Sequence, residues 1–416
     1  MNKLTILALS LSAFALTAQA KTTVTIDTWS NEGDIWQEKI LPTFYAKNPD
    51  ITVKFRQLEF AQYDELLQNK SRPGDLAMCR PFDSSLKIFK AGVFDEITEM
   101  EGIENFPSFA QSPWQTRSGA KTYCLPMASV IHGFFYNKTI FKELGLNEPQ
   151  TRDEFYRLLD SIKSDGQYQA MSMSVKDKWV PATLGYQNIG PNYWKGEDGR
   201  AGVIDGSEQL NEKPYQQVFS ELRRWVDYLG ADYQNVSYGD SIDAFKSGNV
   251  AVYPAGSWGI PTFRDDIDLG TFKPPVINKG DECYVSDHTD IGMGINANSQ
   301  NKEASMRLLQ WMTTAEFAEL LTNSLPGFFS LSNHFIEVND PTAATMLSWR
   351  TECDSTIRST AQNLSSENNN LEDQVWEASF KVMMKQKTPI EAAEILQTSL
   401  ATWYFPQMNA KNDECN

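Results

Sequence analysis

The sequence predicts an α/β protein of two domains, and three observations carry this. Short β-branched or apolar runs alternate with helically spaced apolar residues through much of the chain. Once an N-terminal leader of 20 residues is set aside, 396 of the 416 residues remain, enough for two domains of ordinary size. No linker separates two independent halves, as expected of domains that exchange the chain several times.

The leader comes first. Met1-Asn2-Lys3 carries one positive charge, Leu4 to Leu16 is almost wholly apolar, and Thr17-Ala18-Gln19-Ala20 ends in small residues. This is the order of a secretory signal peptide, and an apolar stretch of about 13 residues is too short for a bilayer, which takes about 20. Residues 1–20 are therefore predicted to be cleaved, with the mature chain starting at or near Lys21. The first cysteine is Cys79, so a lipid-bearing cysteine at the cleavage site is not expected and the mature protein is predicted to reside in the periplasm.

Thr22 to Thr28 alternates as a strand should. Asp34 to Lys47 places Ile35, Trp36, Ile40, Leu41, Phe44 and Tyr45 at helical spacing, with Pro42 predicting a kink. Ile51 to Leu58 is a strand, Phe60 to Lys70 a helix, Asp75 to Met78 a strand and Phe82 to Lys90 a helix. This alternation implies a largely parallel sheet. A second unit starts near Ser129, with a β run at Val130 to Tyr136 and a short helix at Lys138 to Leu144. Thr151 and Glu154 form a capping box for the next helix. Leu210 to Leu229 is a long amphipathic helix. Ser241 to Lys246 is helical, Val250 to Tyr253 and Ile291 to Ile295 are strands, and Lys302 to Thr313 is a helix. Helices follow from Pro341, interrupted by a polar loop at Asn363 to Asn370.

The formal charge is −17, and loss of Lys3 with the leader leaves −18. Such a surface disfavours nucleic acid and anionic lipid. No later segment is apolar enough for direct membrane insertion. Of the five cysteines (Cys79, Cys124, Cys283, Cys353 and Cys415), none forms a metal-ligand spacing, and only His132, His288 and His334 could assist, so neither a metal nor a cofactor is expected. An exported chain permits disulfides, and Cys415 is the candidate for the odd thiol. The sequence has no G-x-S-x-G, H-E-x-x-H or P-loop, and no enzymatic activity is predicted; two scattered carboxylates of a glycosidase would leave no motif.

Four blocks occur in order. Phe135-Tyr136-Asn137-Lys138-Thr139-Ile140-Phe141 is followed by Leu144-Gly145, Pro149, Thr151 and Glu154-Phe155. Ala244-Phe245-Lys246-Ser247-Gly248-Asn249-Val250-Ala251-Val252-Tyr253 is followed by Gly256-Ser257-Trp258. Ile291-Gly292-Met293-Gly294-Ile295-Asn296 is followed by Asn301 to Ala304 and Trp311, and Tyr123 to Pro126 forms the fourth block. Together they resemble the family 1 extracellular solute-binding proteins of ABC importers, the group that includes maltose-binding protein. Cys124 departs from the family's usual glycine, and Cys79-Arg80-Pro81-Phe82-Asp83 is an unusual edge to the cleft.

The resemblance implies a two-lobe, type II-like periplasmic-binding-protein fold with three hinge crossings. Residues 21–128 and 293–327 would form the N-terminal lobe, and residues 129–292 and 328–416 the C-terminal lobe. Ala128-Ser129, Gly292-Met293-Gly294 and Pro326-Gly327 would be the crossings, with glycines to absorb backbone rotation. Those lobes would pair Cys79 with Cys124 and Cys283 with Cys353. The implied function is capture of a sugar or short oligosaccharide for delivery to the membrane subunits of an ABC permease, by a monomer. A polyamine or a sugar acid is the alternative ligand.

Ligands in open α/β sheets bind beyond the carboxyl ends of strands. That rule selects Trp29, Asn31, Glu32, Arg80, Asp83, Ser129, Trp258 and Asp290, with Asp287 and His288 nearby. Aromatic planes suit sugar ring faces, and carboxylates, amides and guanidinium groups suit hydroxyls. Trp258 resembles the family's stacking tryptophan, and Trp376 lies where the family often contributes another. Asn188 and Trp194 fall in a Gly/Pro-containing segment read as a rim loop. Each has a structural alternative: Trp29, Trp194, Trp258 and Trp376 as core, Glu32 as a charge at a helix N-terminus, Arg80 with Asp83 as a surface ion pair, Asp290 as a cap. His132 and His288 read as hydrogen-bonded structural histidines.

Overall fold

In the computed structural model the described residues are 21–409, except 31, 60–61, 69–73, 82, 359, 361–363 and 365–368; the side chains at 64, 83, 84 and 409 are likewise outside the description. The leader, Asn31, the side chain of Asp83 and Cys415 thus lie outside the described residues.

Ten strands form one curled sheet: β1 (Thr22–Thr28), β2 (Ile51–Gln57), β3 (Leu76–Cys79), β4 (Leu125–Asn137), β5 (Gln169–Met171), β6 (Val250–Gly256), β7 (Leu269–Phe272), β8 (Tyr284–Ile295), β9 (Phe329–Ser330) and β10 (Asp354–Thr356). The principal order is β2-β1-β3-β8-β4-β6-β5, with β10 on β8 and both β7 and β9 on β4. The sheet is mixed rather than largely parallel. β1 pairs β2 and β3, β5 pairs β6, and β10 pairs β8 in parallel, whereas β8 pairs β3 and β4 in the antiparallel sense, as do β6, β7 and β9 with β4. Helix alternation predicts the parallel pairs only, because β4 and β8 run between the two halves and return.

Those two strands are far longer than their sequence signals. β4 spans Leu125–Asn137 with every residue buried, so no polar alternation marks it. β8 spans Tyr284–Ile295, which puts Asp287, His288 and Asp290 on a strand and not in a loop. The β4–β8 register shifts on both sides of Ala128, where bulges bend the strand as it passes from one half to the other.

Three hydrophobic clusters lie along this path. One gathers residues between Val24 and Val130 with residues between Ile291 and Leu331. A second runs from Phe134 to Phe272 and resumes at Leu364 to Leu400. A third, smaller one joins Ile131, Phe135 and Phe245 to Phe329 and Trp349. The molecule is thus the two-lobe periplasmic-binding fold, its core divided in two across the middle of β4 and β8.

Local chemistry explains several elements. The helix from Gly33 to Lys47 carries a π turn at Trp36–Ile40, with Leu41 N–H bonded to Trp36 O. Pro42 lacks an N–H, and the helix takes up the defect as this slip. Thr151 and Glu154 form the expected capping box on Arg152–Asp165, and Gly166 ends that helix at φ 77°. Residues 181–194 are helical and buried, in three short pieces from Pro181 to Trp194. The rim loop expected there is absent: Gly190 and Pro191 sit within tight helical packing.

Disulfides join Cys79 to Cys124 and Cys283 to Cys353, with Cα atoms 6.4 and 4.8 Å apart. The first lies across β8 beside Gly294, whose added Cβ would sit 2.9 Å from Cys124 Sγ and 3.0 Å from Cys79 Sγ. Among the described residues, no helix is long and apolar enough to cross a membrane.

Candidate ligand cleft between the lobes

One wall is built where β1 and β3 end. The Tyr63 hydroxyl lies 3.0 Å from Asp27 O and 2.8 Å from Met78 O, holding the two strand ends together. Trp29 and Arg80 leave from just beyond them. Trp29 meets Tyr63 edge-on at 5.0 Å, and the Arg80 guanidinium lies 5.6 Å from the Trp29 ring and 5.5 Å from Tyr63. Cation–π contacts of about 0.5–2 kcal/mol each hold this guanidinium in place. Glu32, half-buried, stands at the N-cap of the next helix, where its side chain makes no cap bond. Burial and then the charge of Asp290 push its pKa above the usual carboxylate value.

The facing wall centres on Trp258, in the turn after β6. It is the one partly buried hydrophobic residue, among the described residues, packed against the clusters of both lobes. Its indole Nε1 donates to Tyr238 Oη at 3.2 Å, and Tyr238 meets Trp179 edge-on at 4.8 Å. Trp376, half-buried on the helix Leu371–Met383, lines a small cavity with Arg358, Glu372, Thr183 and Gln187.

Between the walls lies a charged group centred on Asp290. Arg358 donates to Glu372 at 2.6 Å and to His288 Nε2 at 2.8 Å, and stands 3.8 Å from Asp290. Because guanidinium is a donor only, His288 accepts at Nε2 and carries its proton on Nδ1. The 3.5 Å approach of that Nε2 to Asp290 is therefore not an ion pair. Arg358 is spent mainly on Glu372. Burial accordingly wins at Asp290 and raises its pKa, against the pull of Arg358, His132 and Arg80. Asp290 neither caps a helix nor pairs tightly, and it senses charges of both lobes.

His132 and His288 are fully buried beneath Trp258; His132 lies 4.8 Å from His288 and 5.5 Å from Trp258, both edge-on. Among the described residues neither nitrogen of His132 has a hydrogen-bond partner, contrary to the expectation of a hydrogen-bonded histidine. Burial above all holds both rings well below the usual imidazole pKa, helped by His288 and then Arg358 at His132 and by Arg358 at His288. No group of three or more candidate metal ligands occurs among the described residues.

Three selected residues stand apart from these walls. Ser129 is buried and accepts from Arg350 at 2.5 Å, within an ion pair of Arg350 and Asp287. Asn188 is fully buried and donates to Gly133 O at 2.8 Å and Leu184 O at 3.2 Å. Trp194 is 2% exposed and stacked on Tyr215 at 5.5 Å. All three side chains are buried and engaged within the protein, because their segments pack inward. Arg358, Glu372, Tyr238, Trp179 and Tyr63 were not selected: Arg358 follows β10, a strand too short to be read from the sequence, and the other four lie on helices with no local pattern to mark them.

Residues 28–319 match the family described as bacterial extracellular solute-binding protein. The multiple sugar-binding protein of Streptococcus mutans serotype c is 25% identical over 309 residues, covering 71% of this chain and 72% of that one. Among solved structures, apo RafE from Streptococcus pneumoniae has a TM-score of 0.70 at 22% identity, covering 93% of this chain and 98% of that one. RafE in complex with raffinose gives 0.73 at 21% identity, covering 93% and 100%. The GacH receptor of Streptomyces glaucescens, solved unliganded and with acarbose, gives 0.73 at 18% identity, covering 94% and 99%. The fold, the two-walled cleft and the family match over most of the chain agree: this chain belongs to the bacterial extracellular solute-binding protein family.

Proposed function

We propose that this protein captures a sugar or short oligosaccharide between its lobes and delivers it to an ABC importer. The observation that carries the reading is Trp258, an indole packed against both lobes with charged and hydroxyl-bearing groups on either side. Trp29, Trp258 and Trp376 supply ring-stacking surfaces, while Glu32, Arg80, Asp290 and Arg358 supply donors and acceptors for hydroxyls. Carboxylates and guanidinium groups are interspersed, which favours a neutral ligand with many hydroxyls. A polyamine would face Arg80 and Arg358, and a sugar acid would face Glu32 and Asp290. The named ligands of the relatives, multiple sugars and raffinose, support the same class.

In this reading residues 21–128 with 293–327, and 129–292 with 328–416, are the lobes, and the protein works as a periplasmic monomer with no catalytic step. A ligand that contacts both lobes favours closure by its differential affinity. The closed form then docks on the permease membrane subunits.

The test is a thermal-shift screen of the purified mature protein against mono- and oligosaccharides, sugar acids and polyamines. A selective rise with saccharides is expected, since a ligand of the native state stabilises by mass action. A rise with polyamines alone overturns the ligand class. Trp258→Ala should weaken capture about 30-fold or more, as a buried aromatic anchor does. Unchanged affinity in titration calorimetry removes Trp258 from the site.

A further inference from the structure

We propose that Ser257 is a positioning residue that couples Trp258 to the crossings between the lobes; the inference rests on Trp258 being the stacking wall. Ser257 is fully buried and opens the turn that carries Trp258. Its Oγ accepts the Ile131 N–H at 3.0 Å and donates to Gly327 O at 2.5 Å. One hydroxyl thereby uses both of its hydrogen-bonding functions on two chain segments remote in sequence.

Both segments lie where the chain changes lobes. Ile131 follows the bulged stretch of β4 that pairs β8 and β9 around Ala128. Gly327 just precedes β9 and holds φ at 96°, a conformation that favours glycine. A Cβ at Gly327 would lie 1.9 Å from Ser257 O and 3.2 Å from Trp258 N. The third crossing therefore presses directly on the peptide between Ser257 and Trp258.

The indole is held equally closely on its other side. A Cβ at Gly256 would fall 1.8 Å from the Trp258 ring. The ring thus folds back over its own strand end, with Tyr238 fixing Nε1 and His132 against its edge. Rotation at Gly327 cannot leave Ser257 in place without breaking its hydroxyl bond, and Ser257 cannot shift without moving the adjoining tryptophan. Packed elements of this kind transmit small displacements because they have few alternative arrangements. Ser257 need not touch ligand; its role is to make the position of Trp258 depend on the angle between the lobes.

Hydrogen exchange followed by mass spectrometry on ligand-free protein tests this without any assumption about ligand. The segments read are 125–137 and 325–331. Ser257→Ala and Trp258→Ala should each accelerate exchange roughly fivefold or more in both segments, and the double variant should match the larger single effect. A purely local role for Ser257 predicts that Trp258→Ala leaves both segments at wild-type rates. That result, or effects that multiply in the double variant, overturns the proposal. Ser257→Cys keeps a weak donor of similar size and should be intermediate; it stands in if Ser257→Ala does not fold. With raffinose as probe, wild-type protein should gain protection in both segments, and Ser257→Ala should lose the gain in 325–331. Absence of protection by any saccharide counts against the saccharide reading alone, because the ligand-free comparison is still decided.

Discussion

Glu32 and Asp290 each sit half-buried and each is raised in pKa by burial, and the charge of Asp290 adds to the rise at Glu32. A carboxyl whose folded-state pKa is raised contributes stability below its unfolded value and loses it as pH rises through the folded value. At neutral pH both groups therefore cost stability, and Glu32→Gln should raise the melting temperature of ligand-free protein at pH 7 by about 1–3 °C. If Glu32 contacts ligand as proposed, the same change should weaken saccharide capture, an exchange of stability for function. Calorimetry with and without ligand reads both effects. Arg358 is the opposite case. It satisfies Glu372, His288 and part of Asp290, so Arg358→Leu leaves two carboxylates without their cation. A loss of about 3–5 kcal/mol in urea unfolding is expected; a neutral result would mean that Glu372 turns to solvent.

At the scale of elements, β8 is the strand on which the molecule is organised. Its N-terminal part pairs β10 and carries Asp287 and His288, its middle carries Asp290, and its last residues pair β3 and β4 within the first lobe. The family resemblance implies a hinge at Gly292 and Gly294; the structure shows close approach as a reason for both to be glycine. A Cβ at Gly292 would lie 2.7 Å from the Trp114 ring, and one at Gly294 would lie 2.8 Å from Phe94 and against the disulfide sulfurs. Gly294→Ala should therefore destabilise the first lobe by about 1–3 kcal/mol, the cost of overpacking a filled core. Urea unfolding measures it. The elements legible in sequence are those with local signatures: β1 by alternation, Arg152–Asp165 by its capping box, Tyr238–Lys246 in part by its apolar spacing. Those that were not legible include β5, β7, β9 and β10, too short to show a period, and the buried helical run at 181–194, whose Gly and Pro resemble loop chemistry.

Over the whole molecule, acid sensitivity follows from the two buried histidines. Their folded pKa values lie well below 6.5 because burial disfavours the charged ring. Their contribution is present above pH 6.5 and is lost as pH falls toward the folded values. The unfolded chain then binds up to two more protons, a slope of at most about 2.7 kcal/mol per pH unit. Urea midpoints should fall between pH 7.5 and 5.5, and His132→Gln should flatten that dependence. Asp287, buried but held below the usual carboxylate value by Arg350, adds its own loss only below about pH 4. The sequence by itself determined the α/β class, the order of most elements, the family through four spaced blocks, and Trp29, Arg80 and Trp258 as residues beyond strand ends. These are local properties, written in periodicity, capping and turn chemistry within a few residues. Only the tertiary structure decided the mixed sheet, the inward packing of Ser129, Asn188 and Trp194, and the meeting of Glu32, Asp290 and Arg358. Such choices depend on which distant segments share a layer, and β4 and β8, buried on both faces, carry no polar alternation to announce their partners.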